Sequence, residues 1–144
     1  MIILNEVFET INKNVPDFPP EIGGIIGSAH GEIIDSVVMD HSDSSGKRKC
    51  SYSPNVDFLN SSIATWQKSG IAFKGIFHTH FAGVKTLSCA DKHYIDTIMS
   101  SMPKSIQYLY FPIFVLPDRR MVCYRAERSD NMTKVTSEIV NVRN

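Results

Sequence analysis

Apolar side chains recur at helical spacing in three parts of the chain. These amphipathic patterns cover residues 5–15, 55–68 and about 88–102, and the second ends at a Ser-Gly pair that is typical of a helix C-terminus. We therefore predict three helices. Trp66 falls on the apolar stripe of the second helix, so we expect it to lie in the core rather than on a binding surface.

Runs of β-branched and aromatic residues between these helices predict strands. The runs cover residues 21–28, 32–39, 71–80, 106–116 and 121–126. The turn Ala29-His30-Gly31 joins the first two as a hairpin, and Pro112 interrupts the fourth. Residues 135–142 fit both periods, because their apolar positions fall at helical spacing while their β-branched content would suit a strand. We favour a closing helix there.

The order of these elements predicts an α/β fold with a mixed sheet flanked by helices. A chain of 144 residues with 42% hydrophobic content is long enough for one domain, residues 1–144, and too short for two. The polar stretch from 40 to 54 has no periodicity, so we predict a loop and consider it the best candidate for substrate contacts. Arg119 and Arg120 follow a proline turn and are expected to be solvated.

Charge and cysteine content narrow the functional class. The 15 basic residues balance 15 acidic ones, so nothing steers the chain towards nucleic acid or an anionic membrane. No apolar run approaches the length of a membrane span and the first residues lack a basic leader, so we expect a cytoplasmic protein. Cys50, Cys89 and Cys123 are widely spaced, which favours reduced thiols, with Cys89 a small packed thiol rather than a nucleophile.

The third predicted strand ends in His78-Thr79-His80, and its two imidazoles project from one face because strand side chains alternate. Zinc favours imidazole and carboxylate ligands, and a catalytic zinc usually has three protein ligands and one open position. We predict Asp91, near the start of the next helix, as the third ligand. Ser88 and Asp91 also have the spacing of a helix cap and first-turn acid, an alternative that can coexist with metal binding.

This arrangement resembles a known family. His78-Thr79-His80, seven residues, Ser88, two residues and Asp91 follow the pattern of the JAMM (MPN-domain) metalloproteases. Glu21 stands at the head of a glycine-rich run and looks like the upstream glutamate of that family, while Leu87 occupies a position where many members have proline. The resemblance implies a cytidine-deaminase-like α/β sandwich and a Zn2+ ion as cofactor.

The chemistry expected of such a site can be assigned residue by residue. Zinc held by His78, His80 and Asp91 would lower the pKa of a water ligand and polarise a substrate carbonyl. Glu21 would take the proton of the water and pass it to the leaving amine, and Ser88 would donate a hydrogen bond to the oxyanion. The alternative for Glu21 is a strand-edge carboxylate that faces water.

The other histidines have no comparable neighbours in the sequence. His30 and His41 lie in turn-like sequence, and His93 is two positions from Asp91, which on a helix directs it away from the ligand face. We therefore expect all three to be solvent or packing histidines.

The resemblance also implies a substrate class. Many JAMM enzymes hydrolyse the peptide or isopeptide bond after the C-terminal tail of ubiquitin or a ubiquitin-like protein, and this chain is similar to small prokaryotic JAB-type members. These accompany ubiquitin-activating-like and conjugating-like enzymes, including those of bacterial antiviral conjugation systems. Two alternatives are a JAMM peptidase for sulfur-carrier precursors or cell-wall peptides, and a non-catalytic MPN scaffold. Scaffolds usually lose ligands, whereas this chain keeps all five polar residues.

Overall fold

The computed structural model describes residues 1–40 and 52–144, which alternate between strands and three helices. In chain order the elements are β1 (Ile2–Leu4), α1 (Asn5–Asn14), β2 (Gly23–Ser28), β3 (Ile33–Ile34), β4 (Ser36–Asp40), α2 (Val56–Lys68), β5 (Ala72–His80), α3 (Cys89–Ser101), β6 (Tyr108–Val115), β7 (Arg120–Ser129), β8 (Met132–Glu138) and β9 (Asn141–Arg143). None of the helices in these residues is long and apolar enough to cross a bilayer.

A six-stranded mixed sheet organises these elements. Its strand order is β4-β2-β5-β6-β7-β8, in which β5 and β6 run parallel and every other neighbouring pair runs antiparallel. A second, three-stranded sheet in the order β3-β1-β9 is parallel throughout. The prediction of an α/β fold with a mixed sheet flanked by helices is therefore confirmed.

Alternating side chains of the large sheet build one hydrophobic core on each of its faces. Ile26 and Phe77 pack with α1 and β1 on one face, whereas their neighbours Ile25 and Ile76 pack with α2 and α3 on the other. Trp66 is buried in the second of these cores, as predicted. Because Ile76 faces α2 and α3, the period of two in β5 directs His78 and His80 to the same side.

The three predicted helices are confirmed, with bounds that differ by at most one residue. The helix α2 begins after Asn55, whose side chain accepts a hydrogen bond from the backbone N–H of Phe58 at 3.2 Å. Ser88 caps α3 in the same way. These caps satisfy backbone donors that the first turn of a helix leaves free, and the cap at Ser88 is the one that the spacing of Ser88 and Asp91 predicted.

The predicted closing helix over residues 135–142 is wrong. This region forms the end of β8, which pairs antiparallel with β7, and then β9, which pairs with β1. Val135 lies opposite Ala126 and is partly buried, while its neighbours on either side are exposed. The β-branched residues thus follow the period of the sheet, and the spacing that suggested a helix carries no buried stripe.

Two predicted strands have a different course. Residues 32–39 divide into β3, which pairs with β1, and β4, which forms the expected hairpin with β2. Pro112 does not interrupt β6, which continues from Tyr108 to Val115. The paired residues of β5 and β6 step from Gly75–Tyr110 to His78–Ile113 without a change of register, so Pro112, which has no N–H, lies between paired positions of that ladder.

The expectation for Arg119 was also wrong. Its guanidinium donates hydrogen bonds to the carbonyl of Asn12 at 2.6 Å and to that of Val15 at 3.2 Å, and it contacts Asp17. The turn after β6 therefore lies against the end of α1 and supplies donors for the free carbonyls of its last turn. Arg120 is half-exposed and pairs with its near neighbour Asp118, as expected of a solvated turn residue.

A substitution at Gly75 tests the close approach of β5 to the backbone of β6. Gly75 has a φ of +156°, and a Cβ there would lie 1.8 Å from the carbonyl oxygen of Tyr110. We expect Gly75→Ala to lower the free energy of unfolding by more than about 3 kcal/mol, because strain and overpacking add. Gly70→Ala is the control. Its φ is +76° and a Cβ there would meet no packed atom within 4 Å, so only backbone strain of about 1–2 kcal/mol is expected. Equal losses in urea unfolding would contradict this account.

Candidate metal centre

The end of β5 places two imidazoles against each other on the side of the sheet that carries α3. The Nε2 atoms of His78 and His80 lie 2.9 Å apart, and the rings meet edge to face with centroids 4.7 Å apart. Both side chains are nearly buried, at 11% and 7% exposure. Buried polar atoms need partners, so two converging ring nitrogens at this distance call for a shared third group.

Asp91 supplies that group from the first turn of α3. Its Oδ1 lies 3.2 Å from Nε2 of His78, and its Oδ2 lies 3.1 Å from Nε2 of His80. The same Asp91 completes a capping box, because its backbone N–H donates to Ser88 Oγ at 3.0 Å while Oδ2 accepts from the Ser88 N–H at 2.8 Å. The structure therefore brings the three predicted ligands together, and the cap and the cluster do coexist.

The chemistry and spacing of these donors fit a zinc ion. Two ligand atoms about 2.0–2.1 Å from a tetrahedral zinc stand roughly 3.3 Å apart, and the contacts among the two Nε2 atoms and the Asp91 oxygens are 2.9–3.2 Å. Nδ1 of His80 faces the carbonyl oxygen of Val84 at 3.2 Å. We infer that Nδ1–H donates to this carbonyl, so that loss of the Nε2 proton, which the metal-free ring donates to Asp91, would present a lone pair on Nε2 to a metal.

Electrostatics within the cluster favour a bound cation. Burial alone would raise the pKa of Asp91, but hydrogen bonds from the two imidazoles and the Ser88 N–H hold it well below its usual range. Burial would lower the pKa of His80, yet the hydrogen bond and the charge of Asp91 raise it above the ordinary value. The carboxylate is thus ionised, and it attracts positive charge to the point where both ring nitrogens converge.

Glu21 approaches the same imidazoles from another element. One ligand atom from each of Glu21, His78 and His80 lies within 4.8 Å of the others. Contrary to expectation, Glu21 lies just before β2, which begins at Gly23. The segment is held instead by Thr79, whose backbone N–H donates to the carbonyl of Ile22 at 2.9 Å and whose hydroxyl accepts from the Ile22 N–H at 3.0 Å.

The carboxylate of Glu21 is half-buried rather than facing water as an edge residue would. Its Oε2 accepts a hydrogen bond from the backbone N–H of Tyr52 at 3.0 Å. Burial raises the pKa of Glu21 above its ordinary value, an effect that the nearby imidazoles partly offset. A carboxylate with raised proton affinity beside a metal site is suited to accept and return a proton.

A groove of about 610 Å³ opens over the cluster. Its lining is mostly apolar and comes from the segment before β2, the residues before α2, the loop after β5 and one side of α3; among the contributors are Pro19, Tyr52, Pro54, Val84, Leu87 and Tyr94. Glu21 and Asp91 are the only acidic residues that line it in the described part of the chain, and no lysine or arginine described there does so. Such a groove suits a ligand with little charge.

Two expectations about single residues need correction. His93 lines the groove, because the groove extends along α3 beyond the ligand face. Cys89 is exposed at the first position of α3 rather than packed. His30 agrees with the prediction, as its ring is 81% exposed and its Nδ1 lies 2.8 Å from Oδ2 of Asp35. His41 lies outside the described residues.

Sequence reasoning missed several residues that build the site. Thr79 appeared only as the spacer between two histidines, whereas it is fully buried and ties Glu21's segment to β5. Tyr52 and Asp40 stand near the two ends of the polar stretch that was predicted as a loop, and no periodic signal marks them. Their hydrogen bond at 2.6 Å joins positions 12 residues apart, which no local pattern reveals. Residues 41–51 lie outside the described part, so the predicted role of that loop in substrate contacts stays a prediction.

No protein-family model and no curated protein matches this sequence. Solved structures do match it over its whole length. A solution structure of a protein from Desulfitobacterium hafniense matches with a TM-score of 0.60 at 19% identity. The match covers 99% of this chain and 93% of the Desulfitobacterium chain. A second, from Salinibacter ruber, has a TM-score of 0.60 at 14% identity, over 100% and 92%.

A crystal structure described as a JAB1/MPN domain protein, from Archaeoglobus fulgidus, has a TM-score of 0.56 at 15% identity and covers 100% of both chains. At such low identity the likeness concerns the fold alone. This chain therefore has the α/β fold of an MPN domain.

Proposed function

We propose that this protein is a JAMM-type zinc peptidase or isopeptidase that cleaves the bond after the C-terminal tail of a ubiquitin-like protein. The observation that carries the proposal is the convergence of Asp91 and Glu21 on the two imidazoles of His78 and His80 at the floor of a groove. A structural metal site would have four protein ligands and no groove above it, whereas a catalytic one keeps a position open to substrate.

The residues of the chain divide the chemistry between them. His78, His80 and Asp91 would hold the metal, which when bound supplies Lewis acidity to the substrate carbonyl and to water. Glu21 takes a proton from the attacking water and returns it to the leaving amine, a transfer for which its raised pKa is suited. The Ser88 hydroxyl accepts from the Asp91 N–H, so its own proton remains for the oxyanion of the carbonyl.

The shape and polarity of the groove support the choice of substrate. An extended tail can lie in an open groove and gain affinity from main-chain hydrogen bonds, with few demands on side chains. The mostly apolar lining favours a tail with little charge near the scissile bond. We further propose that ubiquitin-activating-like and conjugating-like enzymes of a bacterial conjugation system, including an antiviral one, act with this protein in the cytoplasm, without nucleic acid or membrane partners.

The alternatives differ in what they require of the site. A peptidase for a sulfur-carrier precursor or a cell-wall peptide would use the same residues and differ only in groove contacts. A non-catalytic scaffold would gain nothing from a half-buried Glu21 beside two imidazoles, because such burial costs free energy unless it serves a ligand or a reaction. The proposal therefore ranks the scaffold below both peptidase functions.

Replacing Glu21 tests the proposed reaction directly. We expect Glu21→Gln to lower kcat on ubiquitin-like fusions and isopeptide conjugates by about 10²–10⁴-fold, because general acid–base catalysis is lost while the shape is kept. Bound zinc, measured by elemental analysis, should stay unchanged, and a chelator should abolish wild-type cleavage until zinc is returned. Glu32→Gln serves as control, since Glu32 is exposed and pairs with Lys74 on another part of the surface. Wild-type rates in Glu21→Gln would refute its role.

Failure of the wild-type protein would be informative in a different way. If it binds zinc stoichiometrically and cuts no substrate in a broad panel of ubiquitin-like fusions, sulfur-carrier precursors and cell-wall peptides, the scaffold gains. If only the last two classes are cut, the alternative peptidase function replaces the proposal.

The ligand role of Asp91 can be measured without any substrate. We expect Asp91→Ala to weaken zinc binding by more than about 100-fold in calorimetry, since even partners that only orient ligands typically contribute 10–100-fold. The variant also loses one half of the capping box, so a control on the same helix is needed. Asp96→Ala is suitable because Asp96 is an exposed residue of α3. Zinc affinity that stays at the wild-type level in Asp91→Ala would remove Asp91 from the ligand set.

Ser88 has two roles that respond to different substitutions. Ser88→Ala removes the cap, which should lower the free energy of unfolding by about 1 kcal/mol, and also the oxyanion donor, which should lower kcat by about 10²–10³-fold. Ser88→Thr keeps a hydroxyl for both roles and should stay within about tenfold of the wild-type kcat. If the loss of kcat in Ser88→Ala is fully explained by the smaller fraction of folded protein, Ser88 acts only as a helix cap.

A further inference from the structure

Tyr52 makes two separate contacts with the candidate centre. Its backbone N–H donates to Oε2 of Glu21 at 3.0 Å. Its ring lies nearly parallel to that of His78, with an interplanar angle of 10° and centroids 6.4 Å apart. A single residue thus contacts both the proposed proton carrier and one proposed metal ligand, although it comes from neither of the elements that carry them.

Asp40 fixes the far end of the Tyr52 side chain. Asp40 is the last residue of β4 and only 1% exposed, and its Oδ2 accepts a hydrogen bond from the Tyr52 hydroxyl at 2.6 Å. The same oxygen accepts from the backbone N–H of Asn55, the cap residue of α2, at 2.9 Å. Charge-assisted hydrogen bonds of this length are the strong ones, so Tyr52 is held between the sheet and a helix start.

The glycine at the start of β2 provides the space for this ring. Gly23 lies opposite Asp40 in the pairing of β2 with β4 and opposite His78 in the pairing of β2 with β5. A Cβ at Gly23 would lie 2.7 Å from Cζ of Tyr52 and 2.4 Å from the carbonyl oxygen of Phe77. A side chain at this position would therefore displace the Tyr52 ring, so the close approach of Tyr52 to the centre depends on a glycine.

We propose that Tyr52, anchored by Asp40, is a positioning residue that fixes the carboxylate of Glu21 and the ring plane of His78. The inference rests on the proposed function, because it assigns the role of Tyr52 through the role of Glu21. A glutamate has several staggered rotamers. A displacement of about 1 Å in a reacting group can lower a rate by about 10²-fold, so a fixed N–H donor on Glu21 limits that displacement.

The first experiment separates positioning from substrate binding. Tyr52→Phe keeps the ring and the backbone N–H but loses the hydroxyl that Asp40 holds. We expect kcat on a ubiquitin-like fusion to fall by about 10–100-fold while KM stays within about twofold and bound zinc is unchanged. Tyr108→Phe is the matched control, since the Tyr108 hydroxyl also donates to a carboxylate, that of Glu32. Tyr108 begins β6, whereas His80 pairs with Val115 at the other end of that strand, so the control lies away from the candidate centre. Unchanged kcat in Tyr52→Phe, or an equal loss in Tyr108→Phe, would overturn the inference.

The second experiment needs no substrate. In metal-free protein we expect the amide proton of residue 52 to exchange with solvent about tenfold faster in Tyr52→Phe than in wild type, because its hydrogen bond to Glu21 is no longer held in place. Tyr108→Phe should leave that amide unchanged. Equal exchange in wild type and Tyr52→Phe would contradict the inference.

The two experiments distinguish failure of the inference from failure of the proposed function. Faster exchange in a protein that cleaves nothing would retain the link between Tyr52 and Glu21 and reject the proposed reaction. Cleavage that is lost in Glu21→Gln and intact in Tyr52→Phe would retain the reaction and reject the positioning role of Tyr52.

Discussion

The capping box at the start of α3 is the interaction on which the candidate centre depends. It fixes the Asp91 carboxylate by the Ser88 N–H, and in that position both carboxylate oxygens also meet the imidazoles. The positive end of the helix dipole adds to the effect, since it stabilises an ionised acid in the first turn. One carboxylate therefore caps the helix and completes the cluster. The spacing from Ser88 to Asp91 indicated both a helix cap and a metal ligand, and the structure contains both arrangements.

The strand β5 connects this cap to the rest of the molecule. Its alternating side chains bury Phe77 in one core and Ile76 in the other, and Thr79 binds the segment that carries Glu21. Burying two imidazoles at the end of such a strand costs free energy, because the ring nitrogens lose their hydrogen bonds to water. Only hydrogen bonds or ligand bonds to other groups offset that loss. The sheet tolerates that cost where a carboxylate, a carbonyl and a cation can share the ring nitrogens.

Local patterns revealed those parts of the site that local rules determine. The period of two placed both histidines on one face, and helical spacing with a cap located α3, so the cluster followed from residues 78–91 alone. The tail was assigned wrongly because the partner of β8 is β7, and only that pairing gives Val135 its environment. The contacts of Arg119 and Tyr52 were not predicted for the same reason, since their hydrogen-bond partners lie on segments distant in sequence. Sequence periodicity identifies the buried face of a helix or strand, but it does not identify the element that packs against that face.

The loop between β5 and α3 contributes both to the candidate centre and to the wall of the groove. Ala82 and Gly83 have φ values of +54° and +70°, and the resulting turn directs the Val84 carbonyl at His80 while the Val84 side chain lines the groove. Leu87, which stands where many JAMM members have proline, packs against the core under α2 and α3. A change in the groove wall at this loop would also move a hydrogen-bond acceptor of the candidate centre, so under the proposed function substrate specificity and metal binding are coupled along it.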